Sequence, residues 1–512
     1  MRGAGAPPPG YDAREVASRT MDRPAWLHFG AGNIFRGYIA ALSHRLLSEG
    51  LTDVGIVPVE SFDFDIIDKI YEPHDSLALL VTLRHDGSAS REVIGGLSRG
   101  LTTRDCDAAE LRACFAYPGL QMVSFTITEK GYVIPSPESD PGNPVCVMAA
   151  LTALMLHRYK TCAAPVALVS MDNCSRNGER LSRAVLSVAR GWRDGGFVDE
   201  GFIGYLSDGA RVSFPWSMID KITPRPSDAV REMLERDGIE GMSPIVTSRG
   251  TYIAPFVNAE EAQYLVVEDS FPNGRPPLER AGVYMTDRDA VNGAERMKVT
   301  ACLNPLHTAL AVFGCLLGFD SIAAEVRDPL LLGLIKRIGY GEGLPAVPGG
   351  GVLDPRAFLD EVVEKRLPNP FIPDTPQRIA TDTSQKIPIR FGETIKAYAE
   401  KGRIGELTGI PLAIAGWLRY LLAVDDRLNP IQVSGDPLLD RLQTALEGVA
   451  PLGSGEPDGE TVSKKLAPLL RDPELFGVDL EKAGIDAKIT GYFARMLCGK
   501  GAVARVLREE IG

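Results

Sequence analysis

Apolar residues fall into short solid runs punctuated by glycine over the first half of the chain, and into helix-spaced stripes over the second. The first unit is PAWLHFGAGNIFRGYIAALSHRLLSEG, where an apolar run meets Gly30 and Gly32. Ile39, Leu42, Leu46 and Leu47 then recur at helical spacing, and Gly50 supplies a stop. Val54–Val59 follows as a buried strand with Glu60 at its end, and Leu77–Leu83, Gln121–Thr126 and Val166–Ser170 are further strands. Strand, tight turn, helix and strand in this order predict the first half of a nucleotide-binding sheet. Beyond about residue 290 the stripes at 301–317, 328–339, 355–365, 392–401, 410–421 and 440–448 predict helices. The fold expected is therefore α/β: a Rossmann-like N-terminal domain over 1–289 and a mainly α-helical domain over 290–512. The strand-like segment SPIVTSRGTYIAPFVNAEEAQYLVVED is assigned to the first domain, GSGEPDGE at 453–460 to a flexible loop, and the Pro/Gly-rich N-terminus to a frayed tail.

Composition narrows the function classes. The 512 residues are 45% hydrophobic and 24% charged, an ordinary globular balance. The longest apolar runs, such as 165–170 and 410–422, are too short or too interrupted to span a bilayer, and no secretory leader is evident. A net charge of −12 opposes nucleic-acid and anionic-membrane partners. Eight scattered cysteines without a C-x-x-C pair suit a reducing, cytoplasmic setting and offer no zinc site.

The chemistry begins at Gly30-Ala31-Gly32, where a tight turn lets backbone N–H groups approach a pyrophosphate at the positive end of the next helix. The usual third glycine is replaced by Phe35, and Arg36 follows, so an ordinary strand–helix turn fits the same residues. Arg36 is either a phosphate contact or a solvated cation. An acid at the end of the second strand accepts from a ribose diol and repels the extra phosphate of NADP. Glu60 holds that place and Asp63 is next, which favours NAD while leaving NADP open; each is equally a solvated charge at a helix start. The segment Glu295-Arg-Met-Lys298-Val-Thr-Ala-Cys-Leu-Asn304-Pro-Leu-His307 then brings a lysine, an amide and an imidazole within ten residues.

That segment resembles the lysine…asparagine-x-x-histidine motif of the polyol-specific long-chain dehydrogenases, the mannitol dehydrogenase and fructuronate reductase family. GAGNIFRGY, ITEKGY at 127–132, SMDNCSRNG at 170–178, FPWSMIDKITP at 214–224 and DTPQRIATDTSQKIP at 374–388 match the family in the same order. Two departures stand out: Lys221 where an arginine commonly follows the family's aspartate, and five residues between Lys298 and Asn304 where mannitol dehydrogenases commonly have four.

The resemblance implies a metal-independent NAD(P)-dependent oxidoreductase with Lys298 as acid–base residue. An ordinary lysine titrates near ~10.4, so base action near neutrality asks burial and neighbouring dipoles to lower it by about 4 kcal/mol. It implies Asn173 and Asn304 as alkoxide donors, His307 as a hydroxyl partner, and Arg378 and Lys386 as contacts to substrate oxygens. It further implies that Asp220, Glu129 and Glu295 tune the lysine or gate protons, and that the GAGNIFR turn, Gly30 through Asn33, Ile34, Phe35 and Arg36, holds the cofactor. Plainer roles compete: Asn304 before Pro305 suits a helix cap, Asn173 a turn, His307 a core histidine, and the charged groups surface ion pairs.

Within the family, CLNPLHTALAVFGCLLG with TPQRIATDTSQKIP lies nearer the fructuronate reductase branch, so the reaction expected is D-fructuronate to D-mannonate. Mannitol 2-dehydrogenase or another polyol or altronate dehydrogenase is the alternative. A non-catalytic nucleotide-binding protein and a 6-phosphogluconate-type hydroxyacid dehydrogenase are the rivals outside it. A monomer is compatible with the resemblance.

Overall fold

The computed structural model describes residues 6–135, 140–349, 351–449 and 459–512. Most of the 453–460 stretch expected to be a loop thus lies outside the described residues, and Gly459 begins a helix, Gly459–Leu470. Two compact units emerge: unit 1 is Met1–Arg84 with Ser88–Asn292, and unit 2 is His85–Gly87 with Gly293–Gly512.

Unit 1 is built on a parallel sheet of β1 (Trp26–Phe29), β2 (Val57–Glu60), β3 (Leu101–Thr102), β4 (Met122–Phe125), β5 (Val166–Ser170) and β6 (Val212–Ser213). The spatial order is β3-β2-β1-β4-β5-β6. This is the Rossmann order, with its crossover reversal between β1 and β4. Every residue of β1, β2, β4 and β5 is buried, as expected of parallel strands covered on both faces by helices such as α1 (Ala40–Ser48), α2 (Val147–Thr161) and α3 (Asn177–Asp194).

Two expectations for this unit change. The strand at Leu77–Leu83 forms, as Ala78–Leu83, but outside the main sheet: it pairs antiparallel with Ala89–Ile94 and parallel with Phe256–Glu260. An apolar run reports burial and not the partner, so pattern alone could not separate the two sheets. The N-terminus is no frayed tail from residue 6 onward. Asp12 caps the helix Ala13–Asp22, Val16 and Thr20 are buried, and the Tyr11 hydroxyl bonds His44 Nδ1 at 2.7 Å.

Unit 2 is helical. Its core carries α4 (Asn304–Leu317), packed against the short α5 (Ile322–Glu325) and α6 (Pro376–Ile379) and against α8 (Gly409–Tyr420), with α7 (Thr383–Arg390) alongside. Each stripe read from the sequence is helical, but three continue as or begin with wide π turns, at Lys298–Cys302, Arg337–Gly343 and Val362–Arg366. Among the described residues one helical run, Arg288–Leu317, is long and apolar enough to cross a membrane, and 78% of its apolar window is buried inside the protein. Charges in its first half interrupt the apolar pattern, so the sequence does not present it as a continuous apolar run.

Candidate active site

In unit 1 the crossover reversal falls at the Gly30 turn. Gly30 has φ +101°, and a Cβ there would lie 2.2 Å from the Thr126 carbonyl oxygen, so no other residue fits. Its N–H donates to Val59 O at 2.9 Å, closing the turn onto β2. Gly32 differs: a Cβ there meets nothing within 4 Å, so the backbone lies open to an approaching group. Helix starts at Asn33, whose first N–H groups lack intrahelical acceptors, and then widens into a π turn, Phe35–Ile39. An accessible backbone before helical N–H groups is a cradle suited to a pyrophosphate.

The acids behind the turn are not solvated charges. Glu60 is buried, and its carboxylate accepts N–H groups of Ala31, Ser61 and Phe62 at 2.9 Å each and of Asp63 at 3.3 Å. Most of its accepting capacity therefore goes to fastening the glycine turn. Asp63 is also buried; Oδ2 accepts from the Thr247 hydroxyl at 2.6 Å, and Oδ1 has no hydrogen-bond partner. Arg36 is neither a solvated cation nor a surface group facing a phosphate. It is fully buried, donating to Ala254 O and to Asn33 Oδ1 at 2.8 Å each. Phe35 is likewise in the core, stacked on His28 with centroids 4.4 Å apart, so only its backbone can face a ligand; Ala31 is buried too, and Ile34 is partly buried. His28 Nδ1 and Nε2 meet Ser124 Oγ at 2.6 Å and Thr126 Oγ1 at 2.8 Å. Burial pushes this imidazole down to about 3, so it stays neutral.

Beyond β4 and β5, Asp172 joins two loops. Its carboxylate accepts from Thr128 N at 2.8 Å, Ile127 N at 3.1 Å and the Tyr132 hydroxyl at 2.6 Å, and burial raises its pKa. Thr128 is held at φ +63°, a costly conformation for a β-branched residue. Asn173, beside Asp172, is exposed, and Glu129 is exposed and 3.7 Å from Arg180. Asp220 is buried at the end of the strand Ser217–Asp220. Lys221, the departure from arginine, donates to Glu260 O at 2.5 Å and Gln263 Oε1 at 3.1 Å.

In unit 2, Lys298 is only 3% exposed and opens the π turn Lys298–Cys302. The turn closes through Leu303 N to Lys298 O at 3.1 Å, a five-residue step that takes up one residue more than an α turn before Asn304. Glu295 is half-buried one turn earlier. Asn304 is the first residue of α4, one position past the N-cap residue Leu303.

His307 Nε2 lies 3.6 Å from Asp374 Oδ2, and Arg378 pairs with Oδ1 of the same carboxylate. Asp374 is buried and braces two expected substrate contacts, one on α4 and one on α6. Lys386 is half-buried and donates to the carbonyls of Ile379 (3.1 Å) and Thr381, so it also closes the end of α6; desolvation, then Arg390, lowers its pKa. Arg390, largely buried, reaches Thr308 Oγ1 at 2.7 Å and is pulled down to about 10 by desolvation. The structure thus gathers His307, Arg378 and Lys386 around one end of α4 and α6. Sequence reasoning missed Asp374, Arg390 and Asp172; the first two lie inside or beside DTPQRIATDTSQKIP and the third inside SMDNCSRNG, and those motifs were the available signal.

A glycine turn at a Rossmann switch point, together with a buried lysine, an amide and a braced imidazole–arginine pair in a helical unit, defines a nicotinamide-type dehydrogenase architecture. The mannitol dehydrogenase Rossmann domain matches residues 24–280 and the mannitol dehydrogenase C-terminal domain residues 291–482, and the chain belongs to this oxidoreductase family. The D-mannonate oxidoreductase of Thermotoga maritima is 48% identical over 526 aligned positions, covering 99% of this chain and 96% of its own. The D-mannonate oxidoreductase of Escherichia coli is 28% identical, covering 85% and 86%. Among solved structures, the Pseudomonas fluorescens mannitol 2-dehydrogenase ternary complex with NAD and D-mannitol matches with TM-score 0.68 and 26% identity over 99% of this chain and 96% of that one. A substrate-free D-sorbitol dehydrogenase shares the fold at TM-score 0.78 and 23% identity, over 99% and 98%.

Proposed function

We propose that this protein interconverts D-fructuronate and D-mannonate with NAD(H), using Lys298 as acid–base residue and no metal. The observation that carries the reading is the 48% identity, over nearly the whole of both chains, to a D-mannonate oxidoreductase. The basic array of Arg378, Lys386 and Arg390 beside His307 supports it, since a sugar acid brings a carboxylate that a neutral polyol lacks.

In this reading the Gly30–Gly32 turn and the N–H groups from Asn33 onward hold the pyrophosphate, and Glu60 holds the turn. When bound, the nicotinamide accepts or supplies the hydride. Lys298 takes the hydroxyl proton as mannonate is oxidised and returns it to the alkoxide in reduction. Asn173 and Asn304 offer amide N–H groups to that oxygen without adding a titrating group. His307 orients a substrate hydroxyl, Arg378 and Lys386 meet substrate oxygens, and Asp220, Glu129 and Glu295 tune or relay the proton.

Initial rates with mannonate, altronate, mannitol and arabinitol, each with NAD and NADP, test the substrate. Preference for mannonate is expected; a clear preference for mannitol overturns the sugar-acid reading. Activity is expected to survive a chelator, and its loss would remove the lysine mechanism.

A further inference from the structure

The most exposed aromatic side chain of unit 1 stands where a dinucleotide fold has a use for it. Phe62 lies two residues past the end of β2 and is 65% exposed. The Arg249 guanidinium carbon lies 5.2 Å from its ring centroid. Arg249 sits in the turn joining strands Ile245–Val246 and Tyr252–Ile253. That hairpin is tied to the loop after β2 by Thr247 Oγ1 to Asp63 Oδ2 at 2.6 Å and by Ser248 N to Asp65 Oδ2 at 2.7 Å. The aromatic and the cation are therefore set on a braced loop and hairpin.

In a doubly wound sheet a dinucleotide binds at the carboxyl ends of the strands, with its pyrophosphate at the β1 turn and its adenosine half past the end of β2. Glu60, the expected ribose acceptor, is largely committed to main-chain N–H groups. We propose that Phe62 and Arg249 form the adenosine-recognition site, with the adenine stacked on the Phe62 ring and the Arg249 guanidinium meeting a 2′-phosphate, so that NADPH is bound as well as NADH. The chemistry is general: a purine stacks on an exposed phenyl ring, and an arginine near the ribose accommodates the additional phosphate. Arg249 takes one face of the phenyl ring and the exposed remainder serves the base.

This inference rests on the dinucleotide reading of the Gly30 turn, and binding measurements separate the two. Dissociation constants for NADH, NADPH and 2′,5′-ADP are measured by calorimetry on the full chain, its Phe62→Ala and Arg249→Ala variants, with circular dichroism to verify folding. Phe62→Ala is expected to weaken NADH and NADPH alike, about tenfold. Arg249→Ala is expected to weaken NADPH and 2′,5′-ADP about tenfold while changing NADH by less than about threefold. Wild-type protein that binds NADH while both variants bind every nucleotide as it does overturns the adenosine site alone. Wild-type protein that binds neither dinucleotide overturns the reading and the site together.

Discussion

Burial separates the candidate residues more sharply than their identities do. Lys298 is almost inaccessible and Asp374 is buried between His307 and Arg378, whereas Asn173, Glu129 and Arg378 face solvent. Lys298→Met is expected to lower kcat by roughly a hundred- to ten-thousandfold, the range for losing a general acid–base group, while NADH binding by calorimetry is unchanged. Equal turnover in the variant would remove the mechanism. Asp374→Asn keeps the shape and loses the charge that His307 and Arg378 share. It is expected to raise KM for mannonate by about tenfold while changing kcat by less than about threefold, read from initial rates. Lys298 and His307 were legible as part of a motif, because residue type and spacing carry that information. Asp374 was not, since its partners sit 67 and 4 residues away and an aspartate before a helix has an ordinary capping explanation.

At the scale of elements, the strand–turn–helix at Gly30 was legible because a turn leaves punctuation in the sequence, while the π turns were not. A π turn replaces a four-residue step by a five-residue one without any change in residue type, so helical periodicity survives it with only a local slip. Such a slip takes up the additional residue between Lys298 and Asn304, while Arg36, which lies in another π turn, is buried where a phosphate or solvent contact was expected. The two glycines of the turn now make opposite predictions. Gly30→Ala places a methyl group 2.2 Å from a backbone carbonyl at a positive φ, so its Tm is expected to fall by several degrees or the chain to misfold. Gly32→Ala meets open space and is expected to keep the wild-type Tm while weakening NADH by tenfold or more. Unchanged NADH affinity in Gly32→Ala would mean that the open face of the turn does not carry the cofactor.

Over the whole molecule, the two units place buried titrating groups with opposite pH consequences. His28 in unit 1 has its folded value depressed to about 3 by burial. Its neutral form therefore contributes stability that is present above the unfolded value of about 6.5 and lost as pH falls toward 3. Glu325 in unit 2 is the reverse case. It is fully buried on α5, neither carboxyl oxygen has a hydrogen-bond partner, and Oε1 lies 2.0 Å from where a Cβ on Gly314 of α4 would stand. Burial raises its folded value to about 9, so the proton kept in the fold is released on unfolding throughout the interval from about 4.5 to 9. Stability is complete below that interval and declines as pH rises through it, by about 3 kcal/mol at pH 7. Glu325→Gln preserves the shape and cannot ionise. The difference in Tm between variant and wild type is expected to favour the variant increasingly from pH 5 to pH 9, as read by calorimetry at fixed ionic strength. A difference that stays constant over that range would show that Glu325 ionises in the fold as freely as in the unfolded chain, and that the α4–α5 contact tolerates a carboxylate.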